Sequence, residues 1–209
     1  MAQACESFEP LTRRVFEVYG LMPVPGDGHL CEYLPYTHNP ARNAWSRYKM
    51  RMFDFDKAAA GTEENWKRIR AMADGTESLD SLKNARSERI EALIAAIVAN
   101  RNAYEPAINL PNEGHIENLP SEAVVEVPAV INSAGVHGLA MGSLPEGVAE
   151  LCRREAAIAG LVVESAIECD RLKAIEAMAL CPMVDDVDLA VELVDDYIEA
   201  NRDYFPEFD

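Results

Sequence analysis

Three successive helices are predicted in the last third of the chain, and they constrain the fold more than any other feature. Ser143 followed by Glu146 forms a capping-box signature, with a proline suited to the first turn, so a long helix is expected over Pro145–Cys169. Further helices are expected over Asp170–Leu180, which a proline ends, and over Asp186–Asn201. The last of these carries an apolar stripe of Val187, Ala190, Val191, Val194 and Ile198.

Two short segments are predicted to be strands. Ala107–Asn112 ("AINLPN") and Ala123–Ile131 ("AVVEVPAVI") are rich in β-forming residues, and their prolines confine them to sheet edges or strand ends. The second segment alternates so that one face holds Val125, Val127, Ala129 and Ile131. The fold class expected is therefore α+β, mostly helical with a small antiparallel sheet.

Earlier parts of the chain have helical composition with weaker periodicity. A short helix is expected over Arg13–Leu21, ending near Gly20, and the segment Thr76–Arg86 is polar enough to be a loop. Other helices are expected over Ala41–Ala60, Glu63–Ala73 and Ser87–Asn102. The last of these places Ile90, Leu93, Ile94, Ile97 and Val98 on one face, which should pack on something large.

Length and charge exclude several classes of protein. With 209 residues, 49% of them hydrophobic, the chain can bury a core, and its length favours one domain or a large piece of one. A net charge of −17 would repel phosphate backbones and anionic membrane surfaces, so nucleic acid is not an expected partner.

The cysteines indicate a reducing compartment. They are odd in number, lack CxxC spacing and fall mostly in apolar helical patterns, as buried reduced thiols do: Cys5, Cys31, Cys152, Cys169 and Cys181. The first residues have no apolar run of signal-peptide length, and no segment approaches the length of a membrane span. A cytoplasmic protein is expected.

The loop Pro23–Tyr36 ("PVPGDGHLCEYLPY") concentrates titratable side chains between turn-forming residues. Asp27, His29 and Glu32 are close enough along the chain to face one cavity, where they could hydrogen-bond sugar hydroxyls. The alternative is that Asp27 closes an Asx turn, and that His29 and Glu32 tie the loop to backbone amides. Residue types alone do not decide between these two interpretations.

A second polar loop, "NEGHIENLP", joins the two predicted strands. Taken by itself it is typical of a hairpin turn, with Gly114 supplying a positive φ angle and Asn112 beside it. Glu126, between valines on the second strand, would be costly to bury unpaired, so it is expected to pair with an arginine or to face solvent or a site.

A basic segment locally reverses the charge of the chain. "HNPARNAWSRYKMRMF" contains Arg42, Arg47, Lys49 and Arg51. These residues could attract an acidic substrate, or they could form a solvated helix face. Motifs for a phosphate-binding loop, a nucleophile elbow and a zinc-binding helix are absent from the sequence.

Three stretches together carry a resemblance to a known family. "VFEVYGLMPVPGDGHLCEYLP", "NLPNEGHIENLPSEAVVEVPAVINSAGVHGLAMGSLPEGV" and the closing helices resemble the C-terminal half of glycoside hydrolase family 4, from about Val15 to Phe205. "GDGHLCEYLP" looks most like the α-galacturonidase members. The resemblance implies the fold of the C-terminal domain of the lactate/malate dehydrogenase-like glycosidases, with residues 1–209 forming a single, partial-enzyme domain for substrate binding and oligomerisation.

The resemblance also implies a chemistry that the chain alone cannot complete. In the family, NAD⁺ takes a hydride from the sugar C3, the C2 proton is removed, the glycosidic oxygen is eliminated, and Mn²⁺ steadies the oxygens on C2 and C3. The Rossmann domain and the Cys and His metal ligands lie upstream of the matching region, so NAD and Mn²⁺ would be held mainly by an N-terminal half that is absent here.

The function that the resemblance implies is hydrolysis of α-glycosidic bonds of a hexose or hexuronic acid, such as an α-galacturonide. The substrate-binding residues expected are Asp27, His29, Glu32, Asn112 and Gly114 from the polar loops that resemble the family, together with Arg42 and Arg47 of the basic segment. The expected partners are a glycoside substrate and either further copies of the chain or an N-terminal half-enzyme. The alternatives are an inactive subunit that serves oligomerisation and an unrelated helical binding domain.

One position departs from the family pattern. Several members carry a Tyr or Asp, proposed as the base for the C2 proton, on the helix entering "YG". This chain has Arg13, Arg14 and Val15 there. Arginine stays protonated and cannot act as that base.

Overall fold

The computed structural model describes residues 9–84 and 89–208. The helices are α1 (Pro10–Tyr19), α2 (Asp27–Leu30), α3 (Ala44–Arg47), α4 (Phe55–Ala73), α5 (Ile90–Val98), α6 (Glu146–Glu168), α7 (Arg171–Leu180) and α8 (Val187–Ala200). Two 3-10 helices cover Pro40–Arg42 and Leu79–Asn84, and the strands are β1 (Ala103–Pro111), β2 (Val124–Asn132) and β3 (Gly135–Gly138). Cys5, the end of the segment Thr76–Arg86 and the start of the helix expected at Ser87 lie outside the described residues. Across the described ranges, no helix is long and apolar enough to cross a bilayer.

The expected fold class is confirmed. The strands form one small antiparallel sheet in the order β1-β2-β3, and helices make up most of the remaining structure. The predicted inner face of β2 is buried, because Val125, Val127, Ala129 and Ile131 are each at most 8% exposed. β3 was not predicted, since only two side chains separate its flanking glycines and they show no periodicity.

The described chain forms two compact units. Among the described residues, unit 1 comprises 9–50, 104–130 and 137–208, and unit 2 comprises 51–84, 89–103 and 131–136. Unit 1 contains two apolar clusters. One joins α1 to the loop after it (Leu11, Val15, Leu30, Cys31 and Leu34), and the other joins β2 to the loop before it (Ile116, Val125 and Val127).

The three closing helices form as predicted, and α7 packs against both α6 and α8. Each of the three helices buries an alanine, since Ala149, Ala177 and Ala190 are almost fully buried. The Asp170 side chain caps α7, and its neighbour Arg171 forms two short hydrogen bonds with Asp195 of α8.

The capping box predicted for α6 is wrong. Pro145 is the N-cap residue, and no side chain caps the helix. The Ser143 hydroxyl instead donates to the Glu117 carboxylate at 2.8 Å, and Glu146 pairs with Arg153. Tertiary partners have taken both side chains of the motif away from the local hydrogen bonds that the motif usually makes.

The helix expected over Ala41–Ala60 is also wrong as a continuous element. α3 ends after one turn, and Lys49 adopts a left-handed φ of 57°. The chain then starts a new helix at Asp54, whose carboxylate accepts a hydrogen bond from the Lys57 backbone N–H. α4 continues through Gly61, where a break had been expected.

Helix α5 forms over a shorter range than expected, and its apolar stripe is not buried by the described chain. Ile90 is 62% exposed, Ile94 is 56% exposed and Val98 is 81% exposed. Ala96, on the other side, is the residue that α5 buries. Residues 9–84 and 89–208 therefore do not provide the large surface on which the stripe was expected to pack.

Two glycines should respond oppositely to substitution by alanine. A Cβ at Gly138 would lie 2.6 Å from His115 Nε2, so we expect Gly138→Ala to lower the free energy of unfolding by about 1–3 kcal/mol. A Cβ at Gly61 meets nothing within 4 Å inside a helix, so Gly61→Ala should raise it by about 0.5–1 kcal/mol. Urea denaturation followed by circular dichroism measures both, and a stabilising Gly138→Ala would contradict the contact.

Candidate functional site

The loop after α1 is anchored by a buried carboxylate. Asp27 is 5% exposed, and its two oxygens accept hydrogen bonds from Leu11 N at 2.8 Å, Thr12 N at 2.7 Å and the Thr12 hydroxyl at 2.8 Å. These donors belong to the first turn of α1, where backbone N–H groups have no partner inside the helix. Asp27 therefore caps α1 from 15 residues away in sequence, which is a capping role different from the Asx turn considered above.

The capping is reciprocal. Glu9, the N-cap residue of α1, makes no side-chain bond to its own helix, and its carboxylate instead accepts the backbone N–H of Asp27, which begins α2. A Cβ at Gly26 would lie 3.0 Å from the Glu9 carboxylate, so the close approach favours glycine. Each of two helix starts is thus closed by an acid from the other, and both acids sit at the positive end of a helix.

His29 and Glu32 lie on the outside of the loop. His29 Nδ1 is 3.2 Å from Glu32 Oε2, and the side chains are 76% and 54% exposed. The alternative in which these side chains tie the loop to backbone amides is not observed, because they face each other. Their remaining polar atoms can donate to or accept from a ligand.

A second histidine closes the end of the same loop, and residue types alone did not single it out. His38 Nε2 lies 3.0 Å from the Cys31 carbonyl, and the imidazole packs beside Trp45 with ring centroids 6.3 Å apart. Burial raises the pKa of the Cys31 thiol, which donates to the Gly28 carbonyl. This half of the loop is structural.

The loop between β1 and β2 is organised by Asn112. Its side chain is fully buried, with Nδ2 within 3.0 Å of the carbonyl oxygens of Ile116, Leu119 and Pro120, while Oδ1 accepts the Ile116 N–H at 2.7 Å. Gly114 adopts a φ of +91° in the tight turn that follows, which is the hairpin-like interpretation of this loop. Asn112 therefore holds the loop together from inside.

The same loop is fastened to the start of α6. Asn118 exchanges two hydrogen bonds of 2.9 Å with the backbone of Leu144, and Arg153 Nη1 donates to the Asn118 carbonyl at 2.7 Å. Arg153 also pairs with Glu146 and Glu150, and these carboxylates raise its pKa. The sequence spacing does not indicate the hydrogen bonds of Asn118, whose partners Leu144 and Arg153 are 26 and 35 positions away.

The basic segment is exposed. Arg42 and Arg47 lie on the surface, and the Arg47 guanidinium stacks 5.0 Å from the centre of the Tyr48 ring. Among the described residues, no carboxylate pairs with either guanidinium. Glu126 is likewise exposed, on the outer face of β2.

An apolar groove of about 1280 Å³ runs along α6 in unit 1 and is named the α6 groove here. The loop after α1 contributes Leu30 and Leu34, and the loop after β1 contributes Ile116 and Leu119. None of the seven predicted substrate-binding residues lines the groove. Apolar side chains of the two loops thus line the groove. Asp27 and Asn112 form hydrogen bonds inside their own segments and do not line it.

Two tyrosines link α1 to the far end of its loop. The hydroxyls of Tyr19 and Tyr36 are hydrogen-bonded, and burial together with this bond raises the pKa of Tyr36 to about 12. Tyr36 therefore stays protonated at neutral pH. Arg154 donates to the Tyr33 carbonyl beside it.

Positions 13–15 of α1 present no phenol or carboxylate. Arg13 and Arg14 point to Glu17, and Val15 is buried.

The described residues do not by themselves fit the cofactors that the resemblance implies. They contain no group of three or more His, Cys, Asp or Glu side chains able to hold a metal ion. Their strands pair as antiparallel neighbours, whereas dinucleotide pyrophosphates bind at parallel strand-to-helix turns. No catalytic step through NAD or Mn²⁺ is therefore assigned to these residues.

The comparison with protein families decides the identity of the fold. Residues 2–184 match the family 4 glycosyl hydrolase C-terminal domain. The chain belongs to glycoside hydrolase family 4. This membership overturns the alternative of an unrelated helical binding domain.

Several family 4 relatives are similar over different shares of the chain. A 6-phospho-alpha-glucosidase of Lacticaseibacillus paracasei is 38% identical over 98 residues, which cover 47% of this chain and 22% of the relative. An alpha-galacturonidase of Bacillus subtilis is 28% identical over 188 residues, which cover 89% of this chain and 41% of the relative. The chain thus spans less than half the length of these family 4 relatives.

Crystal structures show the same family 4 fold. The lplD protein of Bacillus subtilis superposes with a TM-score of 0.73 at 27% identity, covering 88% of this chain and 42% of that one. A 6-phospho-alpha-glucosidase from gut microorganisms, crystallised with NAD and Mn²⁺, superposes with a TM-score of 0.71 at 23% identity, covering 95% of this chain and 43% of that one.

Removal of the Asp27 carboxylate should destabilise the protein, whereas removal of the neighbouring imidazole should not. Asp27→Ala leaves three buried donors without an acceptor, so we expect the free energy of unfolding to fall by about 2–3 kcal/mol. His29→Ala, at an exposed position of the same helix, should change it by less than about 0.5 kcal/mol. Equal losses in urea denaturation would contradict the difference in role.

Proposed function

We propose that this chain is the substrate-side part of a family 4 glycosidase that hydrolyses an α-linked hexuronic acid, such as an α-galacturonide. The observation that carries the proposal is the exposed His29–Glu32 pair. The loop that holds this pair is anchored by the buried Asp27 carboxylate, which caps α1. The match of an alpha-galacturonidase over 89% of the chain supports this choice of substrate.

The roles of the predicted residues divide according to burial. His29 and Glu32 contact the sugar, because their polar atoms are exposed and their backbone is held in place before substrate binds. Asp27 and Asn112 are positioning residues that act through the loops they hold, and Gly114 permits the turn beside Asn112. A substrate hydrogen bond to a partly charged side chain is worth on the order of 1–3 kcal/mol.

The exposed arginines recognise the acidic group of the substrate. Arg42 and Arg47 lack acidic partners among the described residues, and a guanidinium can bind a carboxylate through two parallel hydrogen bonds. A guanidinium binds a phosphate with the same geometry. Phosphorylated sugars are therefore the competing substrate class, because one relative is named as a 6-phospho-alpha-glucosidase. We favour the uronate because the alpha-galacturonidase is similar over 89% of the chain, whereas this 6-phospho-alpha-glucosidase is similar over 47% of it.

The cofactors and the cellular location are part of the same proposal. The complete enzyme uses NAD⁺ and Mn²⁺, held by the N-terminal half of the family fold, and it works in the cytoplasm. A relative crystallised with NAD and Mn²⁺ supports the cofactors. The described cysteines are free thiols, which supports a reducing compartment.

The proposal predicts substrate-dependent losses in a complete enzyme, made by joining this chain to the N-terminal half of the Bacillus subtilis alpha-galacturonidase and adding NAD⁺ and Mn²⁺. We expect His29→Ala to lower kcat/KM for an α-galacturonide roughly 5- to 150-fold. Arg42→Ala or Arg47→Ala should lower turnover of the α-galacturonide much more than that of the neutral α-galactoside, because only the uronate carries the carboxylate. Arg70→Ala, at an exposed arginine of α4, is the control and should change neither.

The outcomes separate the substrate classes. Equal losses on the uronate and the neutral sugar would contradict the uronate assignment, and faster turnover of a 6-phospho-α-glucoside would replace it with the phosphate. Unchanged kinetics in both His29→Ala and Glu32→Ala would remove these residues from the site.

A second candidate function is an inactive subunit that serves oligomerisation, and the exposed stripe of α5 favours it. Ile90, Ile94 and Val98 form an exposed apolar face. Soluble proteins rarely expose such a face unless another polypeptide covers it. The chain is then expected to self-associate through α5.

Analytical ultracentrifugation tests the self-association. We expect a dimer or larger species that Ile94→Lys converts to monomer, while Val24→Lys, at a residue 87% exposed in unit 1, does not. A wild-type monomer over the whole concentration range would contradict this function.

A further inference from the structure

The loop that carries His29 and Glu32 has a second anchor, which comes from α6. The Arg154 guanidinium donates a hydrogen bond to the backbone carbonyl of Tyr33, the residue that follows Glu32, from a position 121 residues away in sequence. On the other side of the pair, Asp27 fixes the loop to the start of α1 just before His29. The exposed pair therefore lies between two tertiary anchors.

The Arg154 side chain has several partners at this position. It is 25% exposed, and its guanidinium also pairs with the Glu155 carboxylate at 3.0 Å. Its positive charge acts on the phenol of Tyr36 in the same loop, where it opposes the rise in pKa that burial causes. A guanidinium offers five N–H donors in a rigid plane, so one side chain can bond a carbonyl and a carboxylate together.

The preceding residue of α6 makes an equivalent contact with the second polar loop. Arg153 Nη1 donates to the Asn118 carbonyl at 2.7 Å. Successive side chains of a helix do not face the same way, so two neighbouring arginines can reach two different loops. Both loops line the α6 groove. One turn of α6 thus supports both polar loops through Arg153 and Arg154.

The contact of Arg154 differs from that of an arginine that joins two helices. Arg171 of α7, which is 31% exposed, makes two hydrogen bonds with the Asp195 carboxylate of α8. Arg154 instead bonds a loop carbonyl beside exposed polar side chains. A loop whose backbone is held before a ligand binds loses less conformational freedom on binding, and its side chains are already in place.

We propose that Arg154 is a positioning residue of the sugar site: it holds the backbone at Tyr33 so that His29 and Glu32 meet the substrate in one arrangement. This inference rests on the proposed function for the identity of the site. Arg154 itself makes no contact with the sugar. Its effect on turnover therefore passes through His29 and Glu32.

Amide hydrogen exchange, read by mass spectrometry, tests the anchor in this chain without turnover. Arg154→Met keeps an aliphatic stem but removes the donor to Tyr33, so we expect the amides of residues 29–34 to exchange on the order of fivefold to tenfold faster. Arg154→Lys, which keeps the charge and one donor group, should recover most of the protection. Arg171→Met is the matched control, because it removes an ion pair from a side chain of similar exposure and should leave these amides unchanged.

A double-mutant cycle tests the role in turnover, in the fusion of this chain with the N-terminal half of the Bacillus subtilis alpha-galacturonidase. We expect Arg154→Met to lower kcat/KM for an α-galacturonide roughly 10- to 100-fold, because small displacements of a positioned group have effects of that size. In a background that carries both His29→Ala and Glu32→Ala, the same substitution should lower it by only about a further twofold, since the side chains that it positions are gone. Arg171→Met should change kcat/KM by less than about twofold in either background.

The outcomes separate this inference from the proposed function. Unchanged exchange of residues 29–34 in Arg154→Met, or equal effects of Arg154→Met and Arg171→Met, would overturn the inference and leave the proposed function standing. A loss of kcat/KM in Arg154→Met that is as large in the His29→Ala and Glu32→Ala background as in the wild type would also overturn it, because Arg154 would then act elsewhere. Unchanged turnover in both His29→Ala and Glu32→Ala would contradict the proposed function, and the positioning role with it.

Discussion

The fold of unit 1 depends on the hydrogen bonds of one buried carboxylate. Asp27 joins the start of α1 to the loop that follows it, and Glu9 returns the interaction to the start of α2. An acid at a helix start satisfies otherwise unpaired N–H groups and lies at the positive end of the helix dipole. Because the two segments cap each other, the loop that carries the exposed pair His29 and Glu32 is hydrogen-bonded to the start of α1.

The second polar loop follows the same principle with an amide in place of a carboxylate. Asn112 offers two donors and one acceptor, and the surrounding carbonyls and the Ile116 N–H use them all. Arg153 then fixes this loop to α6. In both loops, a side chain of a type that suits sugar binding, Asp27 or Asn112, forms hydrogen bonds with the backbone instead. The polar groups that remain available to a ligand are those at the surface.

The described residues leave two apolar surfaces open to solvent. The chain spans less than half the length of the family 4 relatives to which it is similar. The α6 groove and the stripe of α5 are two separate apolar surfaces, one in each unit. A complete account of the activity therefore begins with what packs on these surfaces.

The sequence alone determined the elements whose signals are local. The proline that ends α7, the apolar stripe that predicts α8, the alternation of β2 and the glycine that ends α1 are local signals, and each of these elements forms where it was predicted. The family was also recognisable, because its motifs are contiguous. Tertiary structure decided which partner each polar side chain bonds. The Ser143 hydroxyl donates to Glu117 instead of capping α6, Asp27 caps a helix 15 residues away, and Asn112 is buried and accepts the Ile116 N–H. Hydrogen bonds form between groups that the fold brings together, and residue type states only what a side chain can bond, not which partner it will meet.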